Sequence, residues 1–248
     1  QTETLYKGYL QIPATRFRTA EEQWALVDDV IEAVLKSVPG FVRSDLEALE
    51  WCLSEITDNV INHSASPGGG VAQLSNRSKS RKIEFAICDV GASIPKTLRP
   101  SHPEIYEDFD ALSWAIREGV TRDPAIGQGN GLFGSSEVCA GSGGFISIQS
   151  GRGSLHKNQD GLSLKNQKIP FAGTLIDGCI SYAEPGQLAR ALKFHVSGSD
   201  FISLRYELDD DVPVIHVRSE VQSVGARFAA SPIRIKAANL IKMTTLDK

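Results

Sequence analysis

The spacing of apolar residues changes period several times along the chain, and each change marks an element. Residues 5–12, ahead of Pro13, read as a strand. From Ala20 to Ser37 the positions Trp24, Leu26, Val27, Val30, Ile31, Val34 and Leu35 follow the three- and four-residue steps of an amphipathic helix, which Pro39 and Gly40 end. A second helix, capped by Ser44, runs to about His63 on a buried stripe of Leu46, Leu49, Leu53, Ile56 and Val60. The Ser-Pro-Gly-Gly-Gly run at 66–70 closes it, and two strands follow near 71–75 and 82–88. In the latter, Ile83, Phe85 and Ile87 alternate onto one face and Asp89 stands at the end.

Past Asp89 the pattern loosens. One helix is predicted around 109–118; another opens in the glycine-rich run from Gly127 to Gly134 and reaches about Ala140, with a strand over 145–150 behind it. Residues 151–170 are polar and glycine-rich without an apolar period, and read as a mobile hairpin loop. Gly173 to Tyr182 is again a strand. Beyond Glu184 the pattern gives a short helix, two strands over 201–208 and 212–218 hinged at Asp209, Asp210 and Asp211, and a last amphipathic helix starting at Ser231-Pro232.

This order predicts an α+β fold: a two-layer α/β sandwich with helices on one face of a mixed, mostly antiparallel sheet and a small C-terminal appendage. Residues 1–19 form an N-terminal strand or arm, 20–183 the main domain, and 184–248 an extension that reads as the start of a second domain. The first residue is Gln1 rather than methionine, which suggests either a trimmed chain or a piece of a longer protein.

Composition narrows the function classes. The 248 residues are 41% hydrophobic and 23% charged, with 26 basic against 30 acidic side chains and a net charge of -4. So balanced a chain has no global field for a polyphosphate backbone or an anionic membrane, and nucleic acid is not indicated as a partner. No apolar run nears the ~20 residues that span a bilayer, and with no secretory signal the cytoplasm is the expected location. Cys52, Cys88, Cys139 and Cys179 are scattered in apolar stretches without a C-x-x-C pair, which points to packed free thiols.

Three stretches carry residues suited to chemistry. On the second helix Glu55, Asp58, Asn59 and Asn62 share a face away from the leucine stripe. A carboxylate and an amide one turn apart can supply a general base and an oxygen ligand for a hard cation, although any half-buried helix also needs a polar face. Asp89-x-Gly91 puts a carboxylate at a strand end, able to accept from an exocyclic amine, beside a residue without a Cβ that lets a flat ring approach; alone it is also an ordinary turn. In Gly127-Gln128-Gly129-Asn130-Gly131-Leu132-Phe133-Gly134, spaced glycines before a helix expose N–H groups that suit phosphate oxygens. Its literal G-x-G-x-x-G lacks the preceding strand and the later acidic residue of a dinucleotide fold.

Taken in order, Glu55-x-x-x-Asn59, Asp89-x-Gly91, Gly127-x-Gly129-x-Gly131 and Gly173-Thr174 resemble the ATPase domain shared by gyrase, heat-shock chaperones, histidine kinases and MutL, the GHKL superfamily with its Bergerat-type fold, over residues 20–182. The runs Ser54 to Ser64 and Asp89 to Pro95 are most similar to bacterial stand-alone ATPases near the anti-sigma-factor kinases. The resemblance implies ATP and magnesium as cofactors. Asn59 would hold the metal, Asp89 read the adenine amine with Gly91 and Ile94 beside it, Gly127, Gly129, Asn130, Gly131 and Leu132 form a lid over the phosphates, and Thr174 lie near the base or a bridging water. Glu55 would activate the attacking water or hydroxyl. Ser93 departs from the family's D-x-G-x-G, which has glycine there.

Weaker candidates are His63, one turn beyond Asn59, and Arg122, whose guanidinium could reach a terminal phosphate. The resemblance implies magnesium-dependent ATP hydrolysis coupled to a conformational change in a protein partner or adjacent domain, with a homodimer as one form of that partner. A protein serine/threonine kinase of the anti-sigma type and a nucleotide-sensing module without turnover are the alternatives.

Overall fold

The computed structural model describes residues 4–6, 9–41, 46–120, 131–183, 205–209 and 212–216. The chain divides into two compact units, Gln1–Pro124 with Gln128–His195, and Ala125–Gly127 with Val196–Lys248. The first is an α+β two-layer sandwich. Its elements in order are β1 Thr4–Tyr6, β2 Tyr9–Phe17, α1 Ala20–Ser37, α2 Glu47–His63, β3 Gly70–Arg77, β4 Lys82–Asp89, α3 Ile94–Leu98, α4 Asp108–Ala115, α5 Gly131–Gly141, β5 Phe145–Asn158 and β6 Gly161–Ser181. Six strands pair in the order β1-β2-β3-β4-β6-β5, and every described pairing is antiparallel, where a mixed sheet was expected. In the second unit, β7 Arg205–Asp209 and β8 Val212–His216 form a hairpin closed between Asp209 and Val212. The predicted short helix after Glu184 and the helix at Ser231-Pro232 lie outside the described residues.

The strands alternate as a half-buried sheet must. Ala72 and Leu74 of β3, Ile83, Phe85 and Ile87 of β4, and Ile146 and Ile148 of β5 point into the core, which α1 and α2 close with Val30, Ile31, Val34, Leu49, Leu53 and Ile56. Thr19 caps α1, its hydroxyl accepting from the Glu22 N–H at 3.2 Å. A buried polar bridge joins the two helices where Gln23 Nε2 donates to Thr57 Oγ1 at 2.7 Å. A second one ties the residue just past β6 to β3 and α1: Tyr182 donates to Asn76 Oδ1 at 2.7 Å, and Asn76 Nδ2 donates to Ser37 Oγ at 2.8 Å.

Three further expectations change. The strand expected over 5–12 is divided between β1 and β2, which pair antiparallel, and it does not stop at Pro13: β2 continues to Phe17, and the pairing with β3 shifts register between Ile12 and Thr15, so that Pro13 sits in a bulge where no ladder N–H is needed. The helix predicted over 109–118 ends at Ala115. Residues 151–170 are not a loop. They form the outer half of the β5–β6 hairpin, whose strands stay paired to Asn158 and Gly161. Gly151 takes φ +59°, and a side chain on Gly151 or Gly153 would run into Asp108, so these glycines let the arm bend and lie close on α4. Asp108 holds it there, accepting from Arg152 N at 2.7 Å and from Arg99 Nη2 at 2.6 Å. The Lys157–Glu137 ion pair fixes the arm to α5. Among the described residues no helix is long and apolar enough to cross a membrane.

Candidate functional site

The inward row of β4 is apolar until its last member. After Ile83, Phe85 and Ile87 comes Asp89, only 5% exposed, so the sheet delivers one carboxylate to the rim of its own core. Burial raises its pKa, while N–H groups of Gly91 and Thr174 pull the other way by stabilising the charged form. The Gly91 N–H donates to Asp89 Oδ1 at 2.7 Å, the turn that an Asp-x-Gly sequence favours.

The loop that follows is seated on the end of α2. The Ala92 N–H donates to the Ser64 carbonyl at 2.5 Å, and a side chain on Gly91 would occupy the position of that same carbonyl. Packing on α2 is therefore a sufficient reason for glycine here. Ser93 is the N-cap of α3 with φ -75° and ψ 154°, extended backbone that serine adopts without strain, so the departure from glycine costs nothing locally.

Thr174 lies opposite Asp89 in the β4–β6 ladder. Before it, Gly173 has φ +87°, and a side chain there would strike the Asp89 carbonyl and come within 2.8 Å of Oδ1. Ser150, at the corresponding place on β5 and fully buried, joins these parts. Its hydroxyl donates to the Gly173 carbonyl at 2.7 Å, accepts from the Ile94 N–H at 2.8 Å, and lies 3.0 Å from Thr174 Oγ1. Sequence reasoning did not single out Ser150. The available signal was a serine in the inward row, after Ile146 and Ile148, where the alternation asks for an apolar side chain.

The polar face of α2 bounds the other side. From the Ser64 end the helix steps back through Asn59 to Glu55, one turn apart and both half-buried. Glu55 reaches the first turn of α5, where a side chain on Gly131 would collide with its carboxylate; one turn on, Trp51 fills the space over Gly134. Leu132 lies in the same first turn of α5, half-buried. Thus Asp89 is joined to Gly91 and Thr174, Ser150 joins Thr174 to Ile94, and Glu55 and Gly131 form a second group. Asn59 stands between them on α2. Arg122, Gly127, Gly129 and Asn130 lie outside the described residues.

An open depression of about 370 Å³ borders the loop at Ala92 and runs over Lys96, Thr97, Pro100 and Ser101; none of Glu55, Asn59, Asp89 and Thr174 lines it. Among the described residues no cluster of three or more His, Cys, Asp and Glu side chains could hold a metal by itself. Glu55 and Asn59 supply oxygen donors of the kind magnesium takes when substrate phosphates and water complete its shell.

No protein-family model matches the chain, and no curated protein sequence matches it.

Proposed function

We propose that the first unit binds ATP with magnesium and hydrolyses it, as the resemblance to the GHKL superfamily implies. The observation that carries the reading is the buried Asp89 carboxylate, paired across the ladder with Thr174 and linked through Ser64 to the helix that bears Asn59 and Glu55. A carboxylate kept in place by two N–H groups is a ready acceptor for the exocyclic amine of adenine. The Asn59 amide oxygen would hold magnesium, which when bound neutralises charge on the phosphates. Glu55 takes the proton of the attacking water. The new bond joins the water oxygen to the terminal phosphorus, the bond from that phosphorus to the bridging oxygen breaks, and ADP leaves with the electron pair.

Incubation of the full chain with ATP labelled on the terminal phosphate tests this reading. Free labelled phosphate is expected, and it should be lost in Glu55→Gln. Label retained on a protein side chain would replace hydrolysis by transfer to a serine or threonine hydroxyl, and bound but unconverted ATP would replace it by nucleotide sensing.

A further inference from the structure

Ser150 has one proton, and the 2.7 Å bond commits it to the Gly173 carbonyl. Its oxygen accepts from the Ile94 N–H at 2.8 Å. The remaining contact, at 3.0 Å to Thr174 Oγ1, therefore has one assignment: Thr174 donates and Ser150 accepts. With its proton directed at Ser150, the Thr174 hydroxyl offers only lone pairs to anything on its other side.

Its ladder partner is Asp89. Directly opposed residues of an antiparallel pair put their side chains on the same face, with Cβ atoms about 4.5–5.5 Å apart. The carboxylate is also an acceptor. Two acceptors side by side suit a group with two N–H donors and repel a carbonyl oxygen.

We infer that Ser150 is a specificity-determining, positioning residue: by fixing the proton of Thr174 it makes the base-reading end of the site select a 6-amino over a 6-keto purine. This rests on the ATP reading above. Ser150 does not touch the ligand; it acts through Thr174. Without it the Thr174 hydroxyl is free to turn and donate to a keto oxygen.

The test is calorimetric titration of the full chain with the magnesium complexes of ATP and inosine triphosphate, which differ at the purine 6-position and the adjacent ring nitrogen. Wild type should prefer ATP, and Ser150→Ala should narrow the ATP-to-inosine-triphosphate affinity ratio by about tenfold, the worth of one hydrogen bond to a polar group. Thr174→Val should narrow it as well, and Thr174→Ser, which keeps the hydroxyl, should leave it near wild type. Should Ser150→Ala fail to fold, Ser150→Cys, whose thiol is a weak acceptor of similar size, takes its place and should narrow the ratio in the same direction. If Ser150→Ala, or failing it Ser150→Cys, leaves the ratio at its wild-type value, whether both affinities fall by the same factor or neither falls, Ser150 does not set the preference and the inference falls while the ATP reading stands. Wild-type protein that binds neither nucleotide overturns both.

Discussion

At the scale of single residues, Asp89 is where burial and chemistry meet. Its raised pKa has burial as the main cause, and the sign of the consequence follows. The folded state binds the proton more tightly than the unfolded chain, so this side chain's contribution to stability is present below the ordinary 3.8 and is lost as pH rises through the folded value. The proposed nucleotide binding would have the opposite sign, because the amine needs the ionised form. ATP affinity should therefore start to fall at a pH above that of an ordinary aspartate, and calorimetry across the acid range would show it. Asp89→Asn presents a donor to a donor and should weaken ATP binding by about 1–3 kcal/mol with the fold intact; unchanged affinity would remove the base-reading role. The sequence exposes Asp89 because a carboxylate ends an apolar alternation. It hides Ser150, because a serine near a strand end looks like an ordinary boundary until the ladder reveals what lies across from it.

Between elements, the α2–α5 seam aligns the polar face of α2 with the start of α5. Glu55 meets Gly131, Trp51 meets Gly134, and the free thiols of Cys52 and Cys139 are hydrogen-bonded, a contact that together with burial pushes the Cys139 thiol pKa well up. Alanine at Gly134 would gain about 0.5–1 kcal/mol of helix propensity. It would also push a methyl into the Trp51 indole, and overpacking of this kind costs about 1–3 kcal/mol. The clash wins, so Gly134→Ala should lower the denaturant midpoint, and combining it with Trp51→Leu should recover part of the loss; simple additivity of the two would show that the seam is not what fixes this glycine. The same physics explains the misreading of residues 151–170. Gly151 and Gly153 give the sequence the look of a mobile loop, yet both are positions where backbone lies against α4. Periodicity registers side chains that enter a core, and the outer half of β6 enters none: from Gly161 to Pro170 all but Leu164 and Gln167 are exposed. Pairing with β5 and the contacts of Asp108 and Glu137 hold that arm, and those are long-range partners that no local window contains.

For the whole molecule, elements that turn one regular face to the core were legible in the chain, and those that lack such a face or are too short to show a period were not. The bounds of α1 and the end of α2 follow directly from the apolar stripes, whereas the five-residue α3 is too short to show a period and depends on the Ser150 contact at its first residue. The proposed site, drawn from β4, β5, β6, α2 and α5, makes one global prediction, because a ligand held by all of them would bind the folded state alone. At a hundred times its dissociation constant such a ligand adds about 2.7 kcal/mol of stability. A chain of this size gains roughly 2–4 °C in Tm per kcal/mol, so saturating ATP with magnesium should raise the thermal midpoint by about 5–10 °C. The variants divide this response. Glu55→Ala should keep the full shift and lose turnover, since a positioned base contributes about 10²- to 10⁴-fold in rate and little ground-state affinity. Asn59→Ala should show the same small shift with and without magnesium, because its amide oxygen is the proposed contact to the metal. A wild-type midpoint that nucleotide and magnesium leave unmoved, in a preparation free of bound ligand, would mean that the elements meet for packing alone.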